Sequence, residues 1–92
     1  MDAESVRVWL VERTFSDDEQ NIVILVYATP DGERYLRKER ALTSFTGPAR
    51  ETRAALDVDP AALAPVGDEE TRERYATEAG RMAETHAPSD AV

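Results

Sequence analysis

Cysteine is absent from this 92-residue chain, which excludes disulfides, thiolate zinc sites, iron–sulfur clusters and a cysteine nucleophile. Long apolar runs are absent as well. The longest, residues 22–28, is far shorter than the roughly 20 residues of a membrane helix. The first residues are acidic and lack the basic start and apolar core of a signal peptide. These absences predict a cytoplasmic protein without membrane contact, and the length predicts one domain, 1–92.

Lysine is nearly absent too: ten of the 11 basic residues are arginine, and Lys38 is the only lysine. Because 19 residues are acidic, the formal net charge is −8. An acid-rich, lysine-poor composition is typical of halophilic proteins. Their carboxylates keep the surface hydrated in molar salt, where the Debye length is about 3 Å. We therefore expect the net charge to reflect the solvent more than the partner.

Alternating apolar residues predict three strands, over 5–13, 21–29 and 33–42. The second is apolar on both faces, which places it at the centre of the sheet. Residues 29–32 read Thr-Pro-Asp-Gly, a turn sequence in which proline fixes φ and glycine accepts a positive φ. The third strand is rich in charged residues, which suits a solvated edge.

The second half of the chain indicates helices. A short one is predicted over 48–57 and a long C-terminal one over 69–86. Asp68 is the expected N-cap of the long helix, and its predicted buried stripe is Thr71, Tyr75, Ala79 and Met82. An Asp59-Pro60 pair begins a single turn that Pro65 stops. The fold class is α+β, a three-stranded antiparallel meander followed by these helices, with residues 1–4 and 88–92 expected to fray.

Catalytic patterns are nearly absent. The lone His86 falls in the last turn of the long helix, the serines lack a G-x-S-x-G context, and the glycines form no phosphate-binding loop. The acidic pairs have no metal-binding spacing. We therefore expect no enzyme activity, cofactor, metal or small-molecule substrate.

Positive charge is concentrated in one segment, residues 34–53, where six basic residues stand against two acidic ones. We call this the basic island: Arg34, Arg37, Lys38, Arg40, Arg50 and Arg53. Arginine binds phosphate and carboxylate groups in a bidentate manner, so the island could bind nucleic acid or an acidic protein. The alternative is that these residues form a solvated edge or pair with the acidic long helix.

Aromatic residues extend the nucleic-acid interpretation. Trp9, Tyr27 and Tyr35 have the same parity on successive strands, so in a suitable register they would line one sheet face, as in sheets that stack bases. The competing interpretation is that they are core residues.

Both faces of the central strand are apolar, but one long helix covers only one face. Either the short helix covers the other, or a protein partner or second copy hides Trp9, Leu25 and Tyr27.

Residues 6–13, 27–35 and 37–41 together resemble a short haloarchaeal family of unknown function, over about residues 6–86. That resemblance implies an archaeal, cytoplasmic home and no activity. The sequence therefore predicts a non-catalytic interaction module that binds protein or itself through its sheet face. The alternative is a nucleic-acid- or ribosome-associated protein that uses the basic island.

Overall fold

The computed structural model describes residues 4–16, 22–41 and 52–92. Within them the chain forms a five-stranded antiparallel sheet and one α-helix, α1. The elements are β1 (Val6–Ser16), β2 (Ile22–Ala28), β3 (Arg34–Ala41), β4 (Ala55–Val58), a 3-10 turn (Pro60–Ala62), β5 (Ala64–Pro65) and α1 (Glu69–Thr85). The strand order β4-β1-β2-β3-β5 confirms the α+β class, the three-stranded meander and the central position of β2.

The turn between β2 and β3 adopts the predicted conformation. Gly32 has a φ of +74°, and its amide donates to the Thr29 carbonyl at 2.8 Å. The Asp31 carboxylate accepts from the Thr29 hydroxyl and the Glu33 amide, which holds the pKa of Asp31 below its usual value. Local side-chain bonds of this kind fix the hairpin register.

A β-bulge interrupts β1. Leu10 lies opposite Tyr27 and Glu12 lies opposite Val26, so Val11 is the extra residue. Because side chains alternate across a strand, one inserted residue exchanges the faces of everything that follows. Glu12 therefore shares a face with Val26, and Arg13 turns to the other face.

Different segments of the chain pack on the two faces of the sheet. On the helix face, Tyr75 and Ala79 of α1 are buried near Trp9, Val26 and Ala28. The opposite face carries one cluster of buried residues: Val8, Leu10, Val23, Leu25 and Tyr27. The chain crosses the sheet from β4 to β5 through residues 59–63, and Leu63 packs against this second cluster.

The predicted short helix over 48–57 is wrong where the structure describes it. Residues Ala55–Val58 form β4, paired with the first half of β1, and residues 48–51 lie outside the described residues. Leu56 lies opposite Val8 and Val58 opposite Val6, so alternate apolar side chains extend the core. Pairing the β1 edge outweighs a weak local preference for helix.

The long helix and its predicted N-cap are confirmed. The Asp68 carboxylate accepts from the Thr71 amide and hydroxyl, both at 2.8 Å, and these bonds lower the pKa of Asp68. His86 is the C-cap, and its backbone amide donates to the Met82 carbonyl. Asp59 likewise caps the predicted single turn through the Ala61 amide.

The tail, residues 88–92, is paired rather than frayed. The Ala54 amide donates to the Asp90 carbonyl at 2.8 Å, and the Val92 amide donates to the Thr52 carbonyl at 2.8 Å. Val92 also packs against both buried clusters that contain β1 residues. The prediction that residues 88–92 fray is therefore wrong. Backbone groups of residues 52–55 need hydrogen-bond partners, and the tail provides them.

Candidate functional site

Three cations meet on the face opposite the helix. Register places Arg13, Leu25 and Lys38 in one row across three strands, and Phe15, Val23 and Arg40 in the next. Rows of a pleated sheet lie close together, so their side chains form one surface. We call Arg13, Phe15, Lys38 and Arg40 the cationic patch.

Two arginines of the patch are held in place by neighbouring segments. Arg13 Nη1 donates to the Val92 carbonyl at 3.0 Å, and Arg40 Nη1 donates to Thr52 Oγ1 at 3.3 Å. A guanidinium has five N–H donors, so each arginine can bind a further partner. Positioned arginines bind at a smaller cost in side-chain entropy than freely rotating ones.

The buried hydroxyl of Tyr27 lies beside these two arginines. It donates to the Arg53 carbonyl at 2.8 Å. Burial raises the pKa of Tyr27, while the charges of Arg40 and Arg13 act in the opposite direction. Thr52, which binds the Arg40 guanidinium, is the chain neighbour of Arg53, which binds the Tyr27 hydroxyl, so the same segment contacts both side chains.

Phe15 is the large hydrophobic residue that the described part of the chain leaves most exposed, at 63%. The sequence did not indicate Phe15, nor Arg13 as a neighbour of Lys38. The bulge at Val11 moves Arg13 and Phe15 to the face opposite the one that simple alternation along β1 predicts. An exposed aromatic ring beside arginines suits an interaction surface, since aromatics and arginine are enriched at the centres of interfaces.

The basic island is divided by the sheet. Lys38 and Arg40 join the patch, whereas Arg37 lies on the helix face in an ion pair with Glu39. Arg34 shares the face of Lys38 but lies four residues, about 13 Å, along the strand. Arg53 lines a pocket near β4 together with Arg7 and Asp57, and Arg50 lies outside the described residues.

Ion pairs with α1 do not account for the charged side chains of the basic island. The ion pairs that involve α1, among the residues described, are Glu78 with Arg81 at 3.8 Å and Arg74 with Glu12 at 3.7 Å. Neither contains an island residue. Among the described residues the island therefore forms no ion pair with the acidic helix, and a solvated strand stays the alternative to a binding surface.

The predicted aromatic platform is wrong. Trp9 lies opposite Ala28, and Ala28 lies opposite Tyr35, so Trp9 and Tyr35 share the helix face. Tyr27 lies opposite Leu10, on the other face. Trp9 and Tyr27 are buried, which supports the alternative that they are core residues.

A second surface lies on the helix face, in a groove of about 470 Å³ between β3, the β5–α1 segment and α1. Its floor contains the row Glu12, Val26 and Arg37, which crosses three adjacent strands. Tyr75 and Tyr35 also line the groove. The volume falls within the range of small-molecule sites.

Glu12 is the carboxylate of this groove. Tyr75 donates its hydroxyl hydrogen to Glu12 Oε1 at 3.4 Å, and the Arg74 guanidinium lies 5.3 Å from the centre of the Tyr75 ring. Burial raises the pKa of Tyr75, and the charge of Glu12 adds to the effect. The phenol therefore stays protonated and keeps a hydrogen to donate.

No helix in the described ranges is long and apolar enough to cross a membrane. Among the same residues, no three His, Asp or Glu side chains come together as a metal site would require. His86 Nδ1 lies 2.8 Å from the Thr85 hydroxyl, at the end of α1.

A comparison with known families places the chain. The family of unknown function DUF7967 matches residues 2–92. The chain belongs to this family. The predicted resemblance to a family of unknown function is thereby confirmed. No curated protein and no solved structure matches the chain.

Proposed function

We propose that this member of DUF7967 is a non-catalytic interaction module that binds an acidic surface of a protein partner through the cationic patch. The supporting observation is the meeting of Arg13, Lys38 and Arg40 around an exposed Phe15, in a chain of net charge −8. Three cations on one small surface oppose the charge of the whole molecule, so they provide local complementarity to carboxylates.

The chemistry of the patch favours a protein partner. Arginine forms bidentate bonds with carboxylates, and Phe15 offers an apolar anchor of the type found in binding hot spots. The bonds of Arg13 to Val92 and of Arg40 to Thr52 limit their freedom before binding.

Burial changes the argument for self-association. The sequence leaves open whether a segment of the same chain or a partner chain hides Trp9, Leu25 and Tyr27, and these residues are 8%, 0% and 1% exposed within the single chain. A homodimer through the sheet face therefore stays a prediction, without the geometric reason that suggested it. Gel filtration in molar KCl tests it directly.

Charge reversal tests the patch. Lys38→Glu and Phe15→Ser change exposed side chains, and Arg34→Glu is the matched control because it lies on the same strand and face, outside the patch. We expect Lys38→Glu and Phe15→Ser each to weaken capture of an acidic partner from a high-salt lysate by about tenfold. Equal capture by Lys38→Glu, Arg34→Glu and the wild type would contradict the proposal.

A second candidate is single-stranded nucleic acid, which is favoured by the exposed ring of Phe15 among cations. Aromatic rings on sheets stack bases while arginines bind phosphates. This alternative predicts binding that weakens with salt, and Lys38→Glu should reduce the slope of log K against log salt by at least about 0.7. A ratio of absorbance at 260 nm to that at 280 nm expected for the protein alone, together with a labelled oligonucleotide that stays unbound, would exclude it.

We also infer a halophilic, archaeal and cytoplasmic setting from the acid-rich, lysine-poor composition. Carboxylate hydration in molar salt explains the acidity without a basic partner. A rise in unfolding temperature between 0.1 and 3 M KCl supports this inference, and a fall contradicts it.

A further inference from the structure

The groove on the helix face has opposite charges on the two sides of an apolar floor. Glu12 of β1 and Arg37 of β3 both lie beside Val26 of β2, so their Cα atoms are two interstrand spacings, about 10 Å, apart. Ile24 lies in the next row and also lines the groove. A carboxylate, an apolar centre and a guanidinium thus follow one another along a line.

The bulge at Val11 creates this arrangement. In a regular strand Val11 would lie opposite Val26, and Glu12 would turn to the opposite face. Bulges are used in proteins to redirect a side chain at functional sites. Here the bulge brings a half-exposed carboxylate beneath the helix, where Tyr75 donates a long hydrogen bond to it.

The present partners of the two charges are weakly bound. Arg74 lies 3.7 Å from Glu12, and Arg37 pairs with Glu39, two residues along its own strand; the side chains in both pairs are 38–59% exposed. Exposed ion pairs contribute little, so a ligand can share or replace them.

We propose that this groove binds a free α-amino acid with an apolar side chain. The ammonium group would lie at Glu12 and the Tyr75 ring, and the carboxylate would form a bidentate pair with Arg37. The side chain would lie over Val26 and Ile24. The ammonium and carboxylate groups of an α-amino acid are attached to one carbon. The Glu12 and Arg37 side chains can therefore bind them together, since the Cα atoms of these two residues are only about 10 Å apart. The two charged termini of an extended peptide lie too far apart to contact Glu12 and Arg37 at the same time.

Blocked ligands test the proposal on the unmodified protein. In a two-dimensional NMR titration with leucine and phenylalanine, we expect the amides of Val26, Arg37 and Tyr75 to shift. N-acetyl-leucine lacks the ammonium charge and leucinamide lacks the carboxylate, so each should bind at least about tenfold more weakly. Equal binding of leucine and its blocked forms would overturn the proposal, as would no shift up to 10 mM leucine.

Variants locate the site. Glu12→Gln and Arg37→Gln should each weaken leucine binding about tenfold, whereas Arg34→Gln, on the same strand as Arg37 but on the other face and outside the cationic patch, should leave it unchanged. Gly67 lines the groove, and a Cβ there would meet no atom within 4 Å, so Gly67→Trp should block binding and leave the fold intact. Leucine binding that survives Gly67→Trp would place the ligand elsewhere and overturn the proposal. These results are independent of the cationic patch.

Discussion

Gly32 lies directly against the carbonyl oxygen of Arg72, so the β2–β3 turn touches the first half of α1. A Cβ on Gly32 would overlap that oxygen and come within 2.9 Å of the Ala76 amide nitrogen. The same residue has a φ of +74°, a conformation that L side chains rarely adopt. The absence of a side chain at Gly32 is therefore required both for the positive φ of the turn and for the close approach of the helix.

Gly32→Ala should consequently lower the free energy of unfolding by about 2–3 kcal/mol, because strain and overpacking act together. Gly67→Ala is the matched control. Its Cβ enters open space, so the free energy of unfolding should stay the same or rise by up to about 1 kcal/mol. Urea denaturation measures both, and equal effects of the two substitutions would contradict the packing described for Gly32.

The Tyr27 hydroxyl supports the chain that covers the face opposite the helix. Tyr27→Phe removes its 2.8 Å bond to the Arg53 carbonyl and should cost about 1–2 kcal/mol, since a part-buried acceptor loses its donor. Tyr75→Phe removes only a 3.4 Å bond to Glu12 and should cost less. Thermal unfolding of both variants measures the difference, and the reverse order would contradict the assigned bonds.

Acid should destabilise the fold through Asp31 and Asp68. Hydrogen bonds from Thr29 and Thr71, respectively, hold the pKa of each carboxyl below its ordinary value. A depressed folded-state pKa means that the stabilisation is complete above the unfolded-state pKa of about 3.9 and is lost as pH falls through the folded-state value.

The double variant Asp31→Asn, Asp68→Asn tests this pH dependence. Asparagine keeps the capping geometry but does not titrate, so the variant should lose less stability between pH 5 and pH 2 than the wild type. Urea titrations at several pH values give the comparison. Parallel stability curves for the two proteins would show that these carboxyls do not govern acid unfolding.

Pairing of the tail should appear in amide hydrogen exchange. The Ala54 amide donates to Asp90, so it should exchange slowly in the full chain and faster when residues 90–92 are deleted. The amide of Leu25, in the central strand, is the internal control and should stay slow. If the Ala54 amide exchanges rapidly in the full chain, the tail is not held as described.

Several elements could be predicted from neighbouring residues because their signals are local. Apolar alternation indicated β1, β2 and β3, and the residue types at 29–32 indicated the turn. The cap at Asp68 and the buried Tyr75 and Ala79 followed from helical spacing. Each depends on residues within about one helical turn or two strand residues of one another.

The failures share one physical cause, which is dependence on a distant partner. Residues 55–58 form a strand because β1 offers them an edge, and residues 88–92 are ordered because residues 52–55 bind them. The candidate surfaces follow the same rule. Half of the cationic patch, Arg13 and Phe15, lies outside the basic island that local charge density indicated.

Composition and periodicity were sufficient for the order of β1–β3 and α1, the central place of β2 and the concentration of positive charge, since each depends on residue type and local spacing. The tertiary structure alone decided which side chains meet. A single extra residue, Val11, exchanges the faces of Glu12 and Arg13, because the side-chain period of a strand is two. That exchange places Glu12 in the groove and Arg13 in the cationic patch.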